Sequence, residues 1–504
     1  MIMKAKISVN RSFVIGEADK NIFGGFVEHL GRCVYNGLYE PDHPEADQDG
    51  FRKDVIELVR ELDMPVTRYP GGNFVSGYDW KDGIGPRENR PVRADFTWKA
   101  VEPNTVGLDE FIRWCRKIDS DILYAVNIST NTPKAAGELV EYANIPGGTY
   151  WSELRKKNGS AEPHNIRLWC LGNEVDGDWQ VGHMTAGEYG RIAHETAKIM
   201  KLADDSIKLC ACGSSVFSLS TFGSWDIEVM RHLFFDVEYL SIHMYFSNRE
   251  QDLPKFLAVP EQVDQRISAA VAACDAVAAE KKSTRKIMIA LDEWNIWYRG
   301  KISCAPEDIW QHGKAQNEEI YDMSDVLVAG GALLSMLDHA DRLKIACLAQ
   351  TVNVISPIMT IPGGGCWKQT IFYPFRETSR YGRGTVLRSV IDSPTYRMEG
   401  FCTGNINYLR STVVWRQEEN ELTVFAINRA DEIMEFTACM EKFECREVVA
   451  AEEIYHESMN AVNSPENEAV HPEDIPANRF SLSGDTLTAE LKPLSWNMFR
   501  IRVK

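Results

Sequence analysis

The sequence predicts an α/β fold, a (β/α)8 TIM barrel followed by an all-β, jelly-roll-like sandwich. The barrel is predicted by eight short apolar runs between about residues 19 and 385, separated by amphipathic, helix-like stretches. Runs that are apolar throughout are typical of parallel strands covered on both faces. After about residue 385 apolar and polar residues alternate instead, and this change predicts the sandwich.

The eight candidate barrel strands alternate with candidate helices. The strands cover residues 22–27, 65–68, 122–127, 166–171, 207–211, 239–243, 287–291 and 343–348. Among the helices, one carries Leu108, Phe111 and Cys115 as a single apolar stripe, and another opens with the capping-box pair Thr185 and Glu188. An open doubly wound sheet is the alternative, but no GxGxxG motif follows the first strand, which disfavours its dinucleotide-binding version.

The sandwich is predicted from residues near both ends of the chain. Residues 422–427 and 434–440 are typical strands, and Gly484-Asp485 predicts a hairpin turn. Near the start, Ala5, Ile7 and Val9 alternate with polar residues, so we expect this N-terminal strand to complete the sandwich. The predicted domains are therefore 19–385 for the barrel, and 1–18 with 386–504 for the sandwich.

Composition excludes several classes of partner. The net charge of −18 argues against a nucleic acid or an anionic membrane as partner, since both require a basic surface. No secretory signal and no run of ~20 apolar residues occur, so we expect a cytoplasmic protein without a membrane partner. The twelve cysteines are scattered, many of them in apolar runs, which indicates reduced thiols. No spacing typical of zinc ligands occurs.

Two glutamates mark the candidate active site. Glu174 follows the fourth candidate strand, and Glu293 follows the seventh. The carboxyl ends of barrel strands are where barrel enzymes hold their catalytic residues, so these two carboxylates are expected to face each other. Cleavage of a glycosidic bond needs one carboxylic acid and one carboxylate. The pair therefore predicts a glycoside hydrolase.

Several motifs resemble a known family. Gly172-Asn173-Glu174 and Asp292-Glu293-Trp294 are similar to the signature of clan A glycoside hydrolases. The match narrows to the α-L-arabinofuranosidases of glycoside hydrolase family 51 through further segments, which are Phe23 to His29, Arg68 to Phe74, His243-Met244-Tyr245 and Gln350. The resemblance spans the whole chain.

The resemblance implies a role for each matching residue. Glu174 would be the acid/base and Glu293 the nucleophile. A substrate-binding set is also implied, made of Glu28, Arg68, Asn73, Trp98, Asn173, His243, Tyr245 and Gln350. In that set Arg68 and Tyr245 would lie beside the nucleophile, His243 beside the acid/base, and Trp98 would be an aromatic wall. Purely structural readings stay open for Trp98, Arg68, His243 and Tyr245.

The implied activity is retaining and exo-acting. It removes terminal non-reducing α-L-arabinofuranosyl residues from arabinan- or arabinoxylan-type oligosaccharides by double displacement, with no metal and no cofactor. The resemblance further implies a homo-oligomer. We expect Glu293 to stay ionised beside Arg68, and the pKa of Glu174 to be raised by burial and by the nearby charge.

Two alternatives remain at this point. Another clan A specificity, such as β-xylosidase or endoglucanase, would use the same two glutamates with a different sugar pocket. A catalytically silent sugar-binding protein, with the sandwich as its working module, would bind sugar without turnover. The intact glutamate pair disfavours the second alternative.

Overall fold

The computed structural model describes residues 3–298, 309–399 and 404–504. Eight parallel strands close into a barrel, in the order of the sequence. They are Gly24–Phe26, Val66–Tyr69, Asp121–Val126, Leu168–Leu171, Lys208–Cys212, Tyr239–Phe246, Met288–Ile296 and Leu343–Ala349, here called strands one to eight. Strand eight pairs with strand one, which closes the barrel. The predicted fold class is confirmed.

Ten α-helices lie within the described residues. They are α1 Lys53–Leu62, α2 Leu108–Lys117, α3 Pro133–Asn144, α4 Tyr150–Lys157, α5 Ala186–Ala203, α6 Ser224–Leu233, α7 Leu253–Leu257, α8 Val259–Glu280, α9 Met323–Asp338 and α10 Phe372–Tyr381. The predicted capping box begins α5, where Glu188 Oε2 accepts a hydrogen bond from the Thr185 amide at 2.9 Å. Across the described part of the chain, no helix has the length and apolar character that a membrane span needs.

Two sheets, in which most neighbouring strands are antiparallel, form the sandwich. The larger has seven strands, in the order Val14–Glu17, Thr385–Leu387, Leu409–Arg416, Glu421–Asn428, Ser495–Arg502, Glu447–Ile454 and Pro472–Asp474. The smaller has five, in the order Val390–Asp392, Met3–Asn10, Met434–Glu441, Thr486–Leu491 and Phe480–Ser483. The N-terminal strand pairs along its whole length with Met434–Glu441, as predicted.

Three two-stranded hairpins complete the strand inventory of the described residues. They are Arg93–Asp95 with Ala100–Glu102, Ile358–Thr360 with Cys366–Lys368, and Thr395–Met398 with Gly404–Asn407. The first of these follows strand two and carries Trp98 in its turn. Sequence patterns did not predict it, because strands of three residues are too short to show a period.

Partly buried ion pairs join the sandwich to the barrel helices. Arg410 contacts Asp264 of α8 at 2.9 Å and Asp338 of α9 at 2.7 Å. Arg429 makes a two-pronged contact with Glu261 of α8, at 2.8 and 2.7 Å. Two-pronged guanidinium–carboxylate pairs fix orientation as well as distance. The sandwich is therefore held against α8 and α9.

Candidate active site

Glu174 and Glu293 converge at the carboxyl-terminal mouth of the barrel. Glu174 follows strand four, whereas Glu293 lies within strand seven. One oxygen of each carboxylate and a ring nitrogen of His243 all lie within 4.8 Å of one another. His243 Nδ1 lies 3.0 Å from Glu174 Oε1 and 3.6 Å from Glu293 Oε2. The imidazole therefore lies beside both acids.

Irregular backbone aims these side chains inward. Glu174 has φ +44°, a left-handed conformation that is uncommon and costly for a residue with a side chain. In strand seven the register against strand eight shifts between Leu291 and Trp294. Consecutive residues of a regular strand point to opposite faces, yet Asp292 and Glu293 both contact Arg68. The shift in register is what allows this.

Two donors hold the carboxylate of Glu293. Arg68 Nη1 donates to Glu293 Oε2 at 2.9 Å, and the Tyr245 hydroxyl donates to Glu293 Oε1 at 2.6 Å. The Arg68 side chain is 1% exposed, and it also contacts Asp292 at 2.9 Å and Asn173 Oδ1 at 2.7 Å. Both oxygens of Glu293 are thereby fixed in orientation.

Glu174 has two partners of its own. His243 Nδ1 lies at its Oε1, and the indole nitrogen of Trp179 donates to Oε2 at 2.8 Å. Trp179 is 45% exposed, so its outer edge faces the entrance of the cavity. Glu174 therefore lies between a buried imidazole and an aromatic ring that reaches solvent.

Glu28 forms a second polar centre in the same cavity. Its Oε1 accepts from the Phe74 amide at 2.9 Å and from Trp98 Nε1 at 3.0 Å, and its Oε2 accepts from Gln350 Nε2 at 3.0 Å. Burial, and then the charge of Glu293, raise the pKa of Glu28 to about 8. A Cβ at Gly72 would lie 2.4 Å from Glu28 Oε2, so only glycine permits this approach.

A single cavity of about 420 Å³ joins these groups, a volume suited to a small ligand. Of the predicted site residues, seven line it: Glu28, Asn73, Trp98, Glu174, Tyr245, Glu293 and Gln350. Arg68, Asn173 and His243 lie behind them and bond to the lining residues; for example, Asn173 Nδ2 donates to Asn73 Oδ1 at 3.2 Å. The structure thus brings all ten predicted site residues together.

The electrostatics of the acid pair differ from the sequence expectation. Burial raises the pKa of Glu174, but the hydrogen bond and the charge of His243 outweigh burial, and the pKa lies below its usual value. Burial raises the pKa of Glu293; the charge of His243 opposes this rise and the charge of Glu174 adds to it. The pKa of His243 is raised despite burial, chiefly by Glu293 and by the hydrogen bond to Glu174.

The expected order of the two acids is therefore wrong for the free site. It assumed that Arg68 and Tyr245 decide the charge of Glu293, and it left out the effect on Glu174 of a charged His243, although it placed His243 beside that acid. His243 Nδ1 lies 3.0 Å from Glu174 and 3.6 Å from Glu293, and these acids favour its charged form although burial opposes it. In the free site, the two acids favour the protonated form of His243, and His243 in turn favours the ionised form of Glu174.

The same three side chains offer ligand atoms to a metal ion. Two carboxylate oxygens and one imidazole nitrogen from Glu174, Glu293 and His243 are close enough to hold one cation. The guanidinium of Arg68 lies 2.9 Å from Glu293 Oε2 and brings a positive charge to one of those carboxylates. Like charges repel strongly in a buried setting, so Arg68 disfavours a metal ion here.

Sequence reasoning missed two aromatic residues of the cavity. Trp179 donates to Glu174, and Trp297 lines the cavity with its ring centroid 5.1 Å from that of Tyr245. Trp297 lies only four residues after Glu293, just after the end of the same strand. This closeness in the sequence could have indicated that Trp297 belongs to the site. Trp179 lies in an irregular stretch after Glu174, where the sequence pattern gives no direction for the side chain.

Family models match most of the chain. A model described as the alpha-L-arabinofuranosidase 1 domain matches residues 58–265, and one described as the alpha-L-arabinofuranosidase C-terminal domain matches residues 292–495. A relative named intracellular exo-α-(1→5)-L-arabinofuranosidase 1, from Bacillus subtilis, is 47% identical over 99% of both chains. The chain belongs to the α-L-arabinofuranosidases. It is therefore a glycoside hydrolase, as predicted.

Two further comparisons refine this placement. A relative from Bifidobacterium longum, named exo-α-(1→6)-L-arabinofuranosidase, is 41% identical over 99% of this chain and 97% of its own length. The solved structure of a family 51 α-L-arabinofuranosidase from Bifidobacterium longum superimposes with a TM-score of 0.94, at 37% identity and with full coverage of both chains. The predicted membership of family 51 is confirmed, and these relatives do not favour β-xylosidase or endoglucanase activity.

Proposed function

We propose that this α-L-arabinofuranosidase retains configuration, with Glu174 as acid/base and Glu293 as nucleophile. The observation that carries the proposal is that one carboxylate oxygen of Glu174 and one of Glu293 lie within 4.8 Å of each other. Retaining enzymes hold their carboxyl groups about 5–5.5 Å apart, whereas inverting enzymes leave about 6.5–9.5 Å for a water molecule. The close approach of the two oxygens supports the shorter spacing and therefore the retaining mechanism.

In the first step, Glu293 Oε attacks the anomeric carbon of the arabinofuranosyl ring. The bond from that carbon to the leaving oxygen breaks, and Glu174 delivers a proton to the oxygen. In the second step, Glu174 takes a proton from water, and the resulting hydroxide displaces Glu293 from the sugar. Arg68 and Tyr245 orient Glu293 through the two hydrogen bonds already described.

His243 supplies the proton that Glu174 delivers. The negative charge of Glu293 is the largest of the effects that raise the pKa of His243. As Glu293 attacks the sugar, its negative charge is lost to the new bond, so the pKa of His243 falls during the first step. The proton of His243 Nδ1 then passes to Glu174 across the 3.0 Å contact while Glu174 protonates the leaving oxygen, which leaves Glu174 ionised and able to take a proton from water in the second step. Glu174 thereby acts as an acid although its pKa is low in the free site.

The second polar centre binds the sugar that is released. Glu28, Asn73 and Gln350 line the cavity and offer hydrogen-bonding groups to its hydroxyls, and Trp98 forms an aromatic wall. Asn173 supports this set from behind through its hydrogen bond to Asn73. A binding site that closes around one terminal sugar favours exo action. The enzyme therefore removes terminal non-reducing arabinofuranosyl units from arabinose-containing oligosaccharides.

The proposed substrate has α-(1→5) linkages, as in the name of the Bacillus subtilis relative, rather than the α-(1→6) linkage in the name of the Bifidobacterium longum relative. The test is hydrolysis of the two linkage isomers of arabinobioside, beside an aryl α-L-arabinofuranoside and an aryl xyloside. Proton NMR of the first product reports both the sugar and its anomeric configuration. An inverted product, or faster hydrolysis of the xyloside, would refute the proposal.

We further propose a cytoplasmic homo-oligomer with domain limits near residues 18 and 385. The word intracellular in the name of the Bacillus subtilis relative supports the location. The pairing of Val14–Glu17 with Thr385–Leu387 supports the domain limits, since both segments belong to the large sheet of the sandwich. Analytical ultracentrifugation tests the oligomer; a purely monomeric protein would refute it.

A further inference from the structure

The hairpin after strand two carries Trp98 over the sugar-binding centre. Its strands, Arg93–Asp95 and Ala100–Glu102, pair directly, so residues 96–99 form the turn. Trp98 reaches from this turn into the cavity and donates to Glu28. Lys99 has φ +51°, a left-handed conformation that a lysine adopts only at a cost. Contacts from outside the turn help to offset that cost.

A segment that follows strand seven supplies these contacts. Its backbone bonds to the hairpin twice, because the Trp310 amide donates to Lys99 O at 2.8 Å and the Val101 amide donates to Gln311 O at 3.1 Å. The ammonium of Lys314 donates to the carbonyls of Trp98 and Lys99, both at 3.0 Å. Lys314 is only 7% exposed. Hydrogen bonds from a charged donor are stronger than neutral ones, particularly away from water.

The hairpin and the segment of residues 310–314 meet in a junction, and the topology places this junction above the binding centre. Strands seven and two are separated in the barrel by strands eight and one. Glu28 follows strand one and Gln350 follows strand eight, so both lie beneath the junction. The two loops therefore close one side of the barrel mouth, the side at which the released sugar binds. A chain of sugars cannot continue through a wall at that position.

The base of the hairpin is anchored independently of Lys314. Glu102 Oε2 lies 2.9 Å from His29 Nδ1, and Glu102 Oε1 accepts from the Asn104 amide at 2.7 Å. The Tyr35 hydroxyl donates to the same carboxylate. Loss of the Lys314 contacts should therefore loosen the turn that carries Trp98 while the hairpin stays folded.

We propose that Lys314 is a positioning residue, which holds Trp98 against the arabinofuranosyl ring and closes the pocket behind it. This inference rests on the proposed sugar-binding role of Trp98. Lys314 touches neither the substrate nor the two acids; it acts through the backbone of the turn. It thereby determines how tightly the terminal sugar is bound, whatever the leaving group is.

The test compares Lys314→Met with Trp98→Ala and with the double variant. Methionine keeps the length and apolar body of lysine and removes the ammonium. We expect Lys314→Met to raise KM about tenfold, the loss typical of a hydrogen bond from a charged donor, while kcat changes much less. The same factor should appear on aryl arabinofuranoside and on arabinobiose, and in the inhibition constant of arabinose, because all three share the terminal sugar.

The double variant separates positioning from general destabilisation. If Lys314 acts through Trp98, then Lys314→Met adds almost nothing to the KM of Trp98→Ala. Lys314→Arg should restore KM in part, and Lys198→Met, an exposed lysine on α5, should match the wild type. Additive effects of the two substitutions, or an unchanged KM in Lys314→Met, would overturn the inference. A wild-type protein that does not hydrolyse the aryl arabinofuranoside would instead refute the proposed function.

Discussion

Removal of one hydroxyl oxygen beside the proposed nucleophile gives a sharp test of the site. In Tyr245→Phe the ring remains, and the 2.6 Å hydrogen bond to Glu293 Oε1 is lost. A hydrogen bond to a charged group contributes about 1.5–3 kcal/mol, which corresponds to about 10- to 150-fold in rate. We expect kcat/KM on an aryl arabinofuranoside to fall by a factor in this range.

The pH profile of the same variant distinguishes a role at the nucleophile from a packing role. The Tyr245 hydroxyl is one of the groups that lower the pKa of Glu293, so its loss raises that pKa. Because Glu293 must be ionised to attack, the acid limb of kcat/KM should move to higher pH. In the wild type the acid limb should lie at lower pH than in Tyr245→Phe, because the Tyr245 hydroxyl favours the ionised form of Glu293.

The matched control is Tyr142→Phe, which removes a buried hydroxyl that donates to Asp109 at 2.7 Å far from the site. It should lower Tm by a similar amount and leave kcat/KM and its pH profile unchanged. The reasoning is refuted if Tyr245→Phe keeps its full kcat/KM, or if its acid limb does not move.

Two further outcomes follow from the structure. Glu174→Ala should reduce kcat on substrates with poor leaving groups by about 10²–10⁴-fold, because these leaving groups need the proton. On substrates with good leaving groups the loss should be much smaller. Equal losses on an aryl arabinofuranoside and on arabinobiose would contradict the acid role. Arg410→Met should lower the free energy of unfolding by about 3 kcal/mol, measured by denaturant titration, because it leaves Asp264 and Asp338 without their shared cation. The remaining folded fraction should keep its kcat, since Arg410 lies at the junction between sandwich and barrel; a changed kcat would contradict this.

Much of the fold could be predicted from local patterns. The eight runs became the eight barrel strands because parallel strands buried on both faces must be apolar along their length. The capping box of α5 and the hairpin turn at Gly484-Asp485 are local features with local causes. The N-terminal strand was predicted correctly since its alternation matches a sheet with one buried face.

The candidate site was predictable in its members but not in its electrostatics. Glu174 and Glu293 were found because each follows an apolar run that predicts a strand. The order of their pKa values depends on how close His243 lies to each acid. Those distances are set by the tertiary structure and not by any local sequence pattern. The junction of Lys314 with the turn at Trp98 joins residues 216 positions apart, and no periodic pattern reports such a contact. Trp179 was missed for the same reason.

The central claim is that Glu293 becomes covalently attached to the sugar while Glu174 handles the proton. A 2-fluoro arabinofuranoside with a good leaving group tests it most directly, because the fluorine slows the second step and allows the glycosyl-enzyme to accumulate. Mass spectrometry of the digested protein should then find the added sugar on the peptide that contains Glu293. A sugar attached to Glu174 or to another residue, or an enzyme that turns over with no covalent intermediate and an inverted product, would contradict the account.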